Sequence, residues 1–409
     1  MPFNIALSGL NAASQDLKVT GNNIANASTV GFKESRAEFA DVFAVAYGGI
    51  SKTAIGSGVR LANVAQQFRQ GNMDFTGNSL DLAINGQGFL IFSDAGARVF
   101  SRNGALTVDR DGYVVNAADQ RLQVYAALDP SGNNFNTGSL SDLRLVTGDA
   151  PPNATTTVQT IVNLSAQDTA LGAGAIDPAL PATYNYSTSV NVFDSLGASH
   201  TATTYFRLVD STTNTWDMRL YVDGNLVTSG GNAQTTMTFN PDGTLNTGSP
   251  IAYDAYAVPG ANPLTLTYDY TGSTQYGDTY SVNALTQDGF TTGRLTSVDV
   301  DETGVVFARF TNGQAQALGK VALGNFANPQ GLQPLGDNAW AETYRAGDLQ
   351  LGEAGAASFG LIQSGALEQS NVDLSAQLVN LITAQRNFQA NAQVITTADT
   401  ITQTIINIR

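Results

Sequence analysis

The two ends of the chain carry a hydrophobic pattern that the middle lacks. Phe3, Leu10, Leu17 and Ile24 stand seven residues apart, and Ala6, Ala13, Thr20 and Ala27 form a companion row three residues on. This predicts a helix over residues 4–26 whose seam has one row of small residues. The C-terminal stretch repeats the pattern at greater length. Leu374, Leu378, Leu381, Phe388, Ala392, Ile395, Ala398, Ile401, Ile405 and Ile408 keep 3–4 spacing, Asn371 or Asp373 can cap the start, and neither Pro nor Gly follows before Arg409. About 36 helical residues would extend about 54 Å. The opposite faces are unusual for solvent-facing helices, which normally lay Lys and Glu on the wet side. The charges are only Asp16 and Lys18 in the first segment and Asp373, Arg386 and Asp399 in the second, with Asn, Gln, Thr, Ser and Ala filling the rest. The expectation is a coiled coil of the N- and C-terminal helices whose outer faces are buried against other copies of the chain. The same pattern also fits an ordinary two-helix bundle inside one domain.

The middle is a succession of short Val-, Thr-, Tyr- and Phe-rich runs separated by turn strings. These include Asp109-Arg110-Asp111-Gly112, Asp194-Ser195-Leu196-Gly197, Asp223-Gly224-Asn225, Asn240-Pro241-Asp242-Gly243 and Asp301-Glu302-Thr303-Gly304. Such spacing predicts β sandwiches or barrels, with 189–193, 201–208, 216–222 and 235–239 as a meander. The soft stretch from Thr147 to Asn153, the Ala/Gly/Pro-rich 170–181 and the string Thr286-Gln287-Asp288-Gly289-Phe290 bracket one section. The fold expected is therefore mainly β with α-helical termini and two nested β domains, sandwich- or barrel-like. Residues 1–30 and 363–409 form the helical assembly domain and 31–70 connect. Residues 71–147 with 286–362 make a discontinuous β domain, into which 148–285 are inserted as an outer one. The Gly/Ser stretch 48–58 is a candidate link or a plain surface loop.

Composition narrows the chemistry. The 409 residues include 19 Lys and Arg against 34 Asp and Glu, a formal net charge of −15, and no Lys/Arg run. Nucleic acid and anionic membranes are poor partners for such a chain. Charged residues are 13% of the total, about half the usual share, so Asn, Gln, Ser and Thr dominate the polar surface. The absence of Cys excludes thiol catalysis, Cys-ligated metals and disulfides. The single histidine, His200, stands beside a turn with no carboxylate or nucleophile at a telling spacing, and it is read as a surface strand residue. Gly313 to Lys320 misses a phosphate loop by one residue and by the Val that follows the Lys. Gly56-Ser57-Gly58 and Gly86-Gln87-Gly88 lack a dinucleotide fingerprint, and the Asp-rich turns lack a calcium-loop ladder. No enzyme activity, metal or cofactor is expected. The N-terminus has no basic segment before Lys18, and no run approaches a bilayer span, so neither a cleavable signal nor membrane insertion is expected.

One set of strings is far more specific. Gly9-Leu10-Asn11-Ala12-Ala13, Asn22-Asn23-Ile24-Ala25-Asn26 and Thr29-Val30-Gly31-Phe32-Lys33 closely resemble the N-terminal signature of the bacterial flagellar axial proteins of rod and hook. Asn22, Asn23 and Asn26 can cap the first helix, after which Gly31 and Phe32 turn the chain and anchor it against a neighbour. At the other end, the 364–374 stretch from Ser364-Gly365-Ala366 to Asp373-Leu374, Ala384-Gln385-Arg386-Asn387-Phe388-Gln389-Ala390-Asn391 and Ile405-Ile406-Asn407-Ile408-Arg409 are similar to the hook branch of that family. Length and insertion point the same way. The resemblance implies a subunit of the bacterial flagellar hook, a curved helical tube that acts as a universal joint and passes torque from rod to filament. It implies unfolded export through the flagellar type III apparatus and residence in the extracellular hook of the basal body. The implied partners are copies of itself, a distal rod protein, a hook–filament junction protein and a hook cap scaffold. Leu10, Leu17, Ile24, Leu374, Leu381, Phe388 and Ile395 are the expected inner-tube packing residues. A sibling axial protein of the distal rod or junction is the alternative. A cell-surface adhesin would leave both terminal signatures unexplained.

Overall fold

The computed structural model describes residues 2–43, 56–145, 148–356 and 358–407; Ile408 and most of the 48–58 stretch lie outside them. The fold is mainly β with one long helix at each end, α1 (Pro2–Ala25) and α2 (Leu374–Asn407). The chain divides into two compact units. One comprises Met1–Val146, Ser297–Arg309 and Ala315–Arg409, and the other Thr147–Thr296 with Phe310–Gln314. The expected barrel form is not adopted, because the sheets stay open among the described residues. In the largest, of twelve strands, the end strands Leu295–Val300 and Gln333–Gly336 each pair on one side only. Residues 31–70 are more than a connection, since Ser35–Asp41 and Val59–Gln66 form an antiparallel hairpin. The strands Leu361–Ser364 and Ala366–Glu368 precede α2, which begins at Leu374.

In the first unit an aromatic core fills the large sheet. Phe89, Phe100, Tyr125, Phe326 and Trp340 are buried together, and Phe100 meets Phe326 edge to face at 4.8 Å. Leu361–Ser364 pairs antiparallel with Leu82–Asn85, and Ala366–Glu368 with Met73–Phe75. The segment leading into α2 is thereby sewn to the start of the β structure.

Beside that seam lies a buried ion cluster. Lys33 Nζ donates to Glu368 Oε1 at 2.6 Å, and both side chains are wholly inaccessible. Arg102 donates to Glu368 Oε2 at 3.1 Å. Further hydrogen bonds support the cluster: Gly71 N donates to Glu368 Oε1, Lys33 to Arg69 O, and Arg102 to Gly86 O, while Arg102 Nε is buried without a partner. Burial pushes the Lys33 ammonium and the Arg102 guanidinium below their ordinary pKa values, while Glu368 pulls both back up.

The second unit is a sandwich. One sheet orders Ile251–Ala252, Thr267–Asp269, Thr157–Asn163 and Ser281–Gln287. The other runs Tyr186–Phe193, Ser199–Asp210, Thr215–Val222, Thr235–Phe239 and Leu245–Thr247, with Asn225–Val227 on its third strand. Alternate residues of both sheets, among them Val158, Val162, Phe206, Trp216, Met218 and Tyr268, meet in one core. The turn strings behave as their composition demands. Asp301 Oδ1, for example, accepts the N–H groups of Thr303 and Val305.

His200 is no isolated surface residue. Its Nδ1 faces Asp223 at 2.5 Å and its Nε2 faces Asp194 at 3.4 Å. Burial opposes protonation, but hydrogen bonds to Asp223 and Asp194 outweigh it and raise the imidazole pKa. A raised folded-state pKa adds stability below the unfolded value of about 6.5, and that stability is lost as pH climbs through the folded value.

Two predictions follow from these ionic groups. Glu368→Gln leaves two cations buried without a counter-charge and should cost about 3–5 kcal/mol in denaturant unfolding; Lys33→Met should then cost less in the Gln background than alone. The thermal-stability advantage of the wild-type chain over His200→Gln should be larger at pH 5.5 than at pH 8.5. An advantage independent of pH would contradict the ionic role of His200.

Candidate functional site

Both helices belong to the first unit, and they pack on each other along the predicted seam. On α1 the buried row is Ala6, Ala13, Thr20 and Asn23, flanked by partly buried Leu10, Leu17 and Ile24. On α2 the facing row is Gln377, Leu381, Ala384, Phe388, Asn391 and Ile395, spaced alternately four and three apart, and Ala398 lies where this row borders the open flank. Asn23 Nδ2 donates to Gln377 Oε1 at 3.3 Å, and a Cβ on Gly9 would stand 2.4 Å from Asn391 Oδ1. Fourteen residues up α1, from 9 to 23, therefore match fourteen down α2, from 391 to 377. The helices are antiparallel without slippage, and small residues set their close approach. Pro2 comes level with about residue 398, so the final turns of α2 run on past α1.

The signature residues hold the helix ends. Asn26 donates through its backbone N–H and its Nδ2 to Asn22 O, closing α1. Asn23 departs from the capping expectation: it is buried and brackets Ser35, accepting from its N–H at 2.9 Å and donating to its carbonyl at 2.7 Å. Gly31 has φ of +71° and donates to Glu368 O. A Cβ there would stand 2.6 Å from Asn103 N, so only glycine fits. Phe32 is partly buried, its N–H donating to Thr29 O. At the other end Asp373 caps α2 by accepting from Ser375 and Ala376. Asn371 instead receives Glu34 N and donates to Gln67 O and Arg69 O.

Of the seven predicted packing residues, six lie partly buried on the seam, whereas Leu374 is exposed. Burial raises the carboxyl pKa of Asp16 on α1. The hydrophobic pattern alone does not single out the apolar flank that the pairing leaves uncovered. Leu374, Leu378 and Ile382 form one exposed row, and Val394, Ile401 and Phe3 lie in the open elsewhere on the pair. Their mixture with seam positions in the 3–4 pattern hid them, because the seam alone accounts for the periodicity. Lys33 and Glu368 stand inside the signature strings, but nothing local links either of them to Arg102 as an ion cluster. Among the described residues no group of three or more His, Asp or Glu side chains is placed to hold a metal ion. No described helix is long and apolar enough to cross a membrane.

Comparison with known proteins agrees with this layout. In chain order, residues 3–33 match the flagella basal body rod protein family and 83–146 the flagellar hook protein FlgE/F/G D1 domain. Residues 163–290 match the flagellar basal body protein FlaE D2 domain, and 363–408 the flagellar basal body rod FlgEFG protein C-terminal family. The flagellar hook protein FlgE of Escherichia coli strain K12 is 38% identical over 412 residues, and that of Salmonella typhimurium 37% over 421 residues, each alignment spanning 100% of both chains. The Borreliella burgdorferi hook protein FlgE is 33% identical over 98% of each chain. The crystal structure of the Helicobacter pylori flagellar hook protein FlgE2 shares the fold, with a TM-score of 0.57 at 15% identity over 72% of this chain and 100% of that one. With relatives above 30% identity along their whole length, the chain belongs to the flagellar hook protein family.

Proposed function

We infer that the chain is the structural subunit of the flagellar hook, polymerising through its terminal helices into a tube that transmits torque. The observation that carries self-assembly is the uncovered apolar flank of the helix pair. Leu374, Leu378, Ile382, Val394 and Ile401 are each about half exposed or more on a helix with only two charges, Arg386 and Asp399. A helix that stayed in water would carry many more, and the same residues become favourable once covered by neighbouring copies. The reading assigns no catalytic role.

Leu10, Leu17, Ile24, Leu381, Phe388 and Ile395 hold α1 to α2 and so present the outer flank in one shape, while Leu374 belongs to that flank itself. The contacts between copies are heterologous, with one face meeting a different face of the next copy, and this generates an open helical array. Two β units in one chain, built on separate cores, suit a polymer whose copies change spacing as the tube rotates through a bend. The family supports a place in the extracellular hook. The rod protein below, the junction protein and cap scaffold above, and the flagellar type III export apparatus are the partners this role requires.

Leu381→Asp or Phe388→Asp should leave the β units folded, as judged by Trp216 and Trp340 fluorescence. Either should abolish the tubes that the wild-type chain forms in concentrated sulfate, viewed by negative-stain microscopy. Normal tubes from either variant would defeat this reading.

A further inference from the structure

The outer face of α2 is not uniform, and its two apolar parts complement each other. Near the start of the helix, Leu374, Leu378 and Ile382 form a ridge of large side chains four residues apart, all about half exposed. Near its end small and branched side chains alternate. A groove of about 830 Å³ is lined by Phe3, Ala390, Val394, Thr397, Ala398 and Ile401 among others, and Ala390, Val394 and Ala398 repeat the same four-residue spacing. The groove runs along one flank of the helix pair, from Phe3 near the start of α1 to the turns of α2 level with it and just beyond it. It borders the α1/α2 interface, and no described residue fills it.

The placement of the two features decides what can fill the groove. Leu378 and Val394 are sixteen residues apart, which on an α-helix is about 24 Å along the axis and about 160° around it. Ridge and groove therefore lie on opposite flanks of one helix, and no chain can fill its own groove with its own ridge. Two copies running in the same direction, offset by those sixteen residues, bring Leu374, Leu378 and Ile382 of one copy over Ala390, Val394 and Ala398 of the next. Each large side chain then meets a position in the opposing row, in the manner of knobs entering holes. No charged residue lies in either row, and the one charge that lines the groove, Asp399, is exposed. Because the two faces differ, a pair still offers one free groove and one free ridge, on different copies, and growth continues without closing.

We propose that the occupant of the Phe3/Ala390–Ile401 groove is the Leu374–Leu378–Ile382 ridge of a second copy of this chain, at an offset of sixteen residues. This rests on the hook-subunit reading and adds to it which segment meets which, and in what register.

The chain's lack of cysteine allows a direct test. Full-length Leu378→Cys/Val394→Cys is assembled in concentrated sulfate, treated with a short bismaleimide and run on a denaturing gel. The two sulfurs of one chain are held about 24 Å apart along the helix, so every cross-link joins different copies. The expected result is a ladder of covalent multimers of three or more chains from assembled material, monomer from dilute material, and no dimer from either single variant. Tubes without a ladder, or dimers from Leu378→Cys alone, would overturn the pairing while leaving the hook-subunit reading intact. Wild-type chain that formed no tubes would count against that reading instead. A second variant covers the case in which the cysteine pair fails to assemble. Ala390→Trp fills the groove without touching the α1-facing row, and it should raise the concentration needed for tubes by about tenfold or more. An unchanged threshold would overturn the proposal.

Discussion

The Lys33–Glu368–Arg102 cluster is the constraint on which the assembly end of the molecule depends. Its three members come from the segment just after α1, the strand just before α2 and the end of a strand in the large sheet. A buried charge without a partner is far costlier than a missing apolar contact. The two chain ends therefore cannot leave the β unit independently: Gly31 packs under the cluster on the backbone of Arg102 and Asn103, and its N–H donates to Glu368 O. Backbone pairing of Ala366–Glu368 with Met73–Phe75 holds the same corner. Asn23, Ser35, Glu34, Gln377 and Asn371 extend it into the helix ends with a chain of polar contacts.

From that fixed corner the two helices run out as a pair. Their inner seam is made of small residues where they must come close, at Ala6, Gly9 and Ala13, and of larger ones where space allows. A tight pair stiffens a helix that would be poor on its own, since the second half of α2 is rich in β-branched residues. There the hydroxyls of Thr397, Thr402 and Thr404 bond back to carbonyls one turn earlier. The outer flank is left apolar and nearly uncharged, a surface suited to contact with other copies of the chain.

The sandwich unit has a different character. Its core is made by alternate residues of two sheets, and its surface ions work locally. His200 shows how such a site escapes a linear reading. Asp194 stands six residues before it, across one hairpin turn, and Asp223 is carried in from the next hairpin. Neither spacing is a motif, and only strand pairing, with Ala202 opposite Val222, brings the second carboxylate to the ring.

What the sequence determined by itself is whatever depends on neighbours along the chain. The heptad rows placed both helices, the Asp/Gly strings placed the turns, and the spacing of small and large residues marked the seam, because helix and hairpin periodicities repeat within a few residues. The signature strings carried the family as well. The tertiary structure alone decided what depends on residues brought together from afar. Residues 33, 102 and 368 became one ion cluster, and Asn23 proved to be a clamp on Ser35 instead of a cap. The 3–4 pattern of α2 separated into a seam facing α1 and a ridge and groove facing outward. A single period of apolar residues records that a helix has buried faces. How many partners share those faces follows only from how α1 lies against α2.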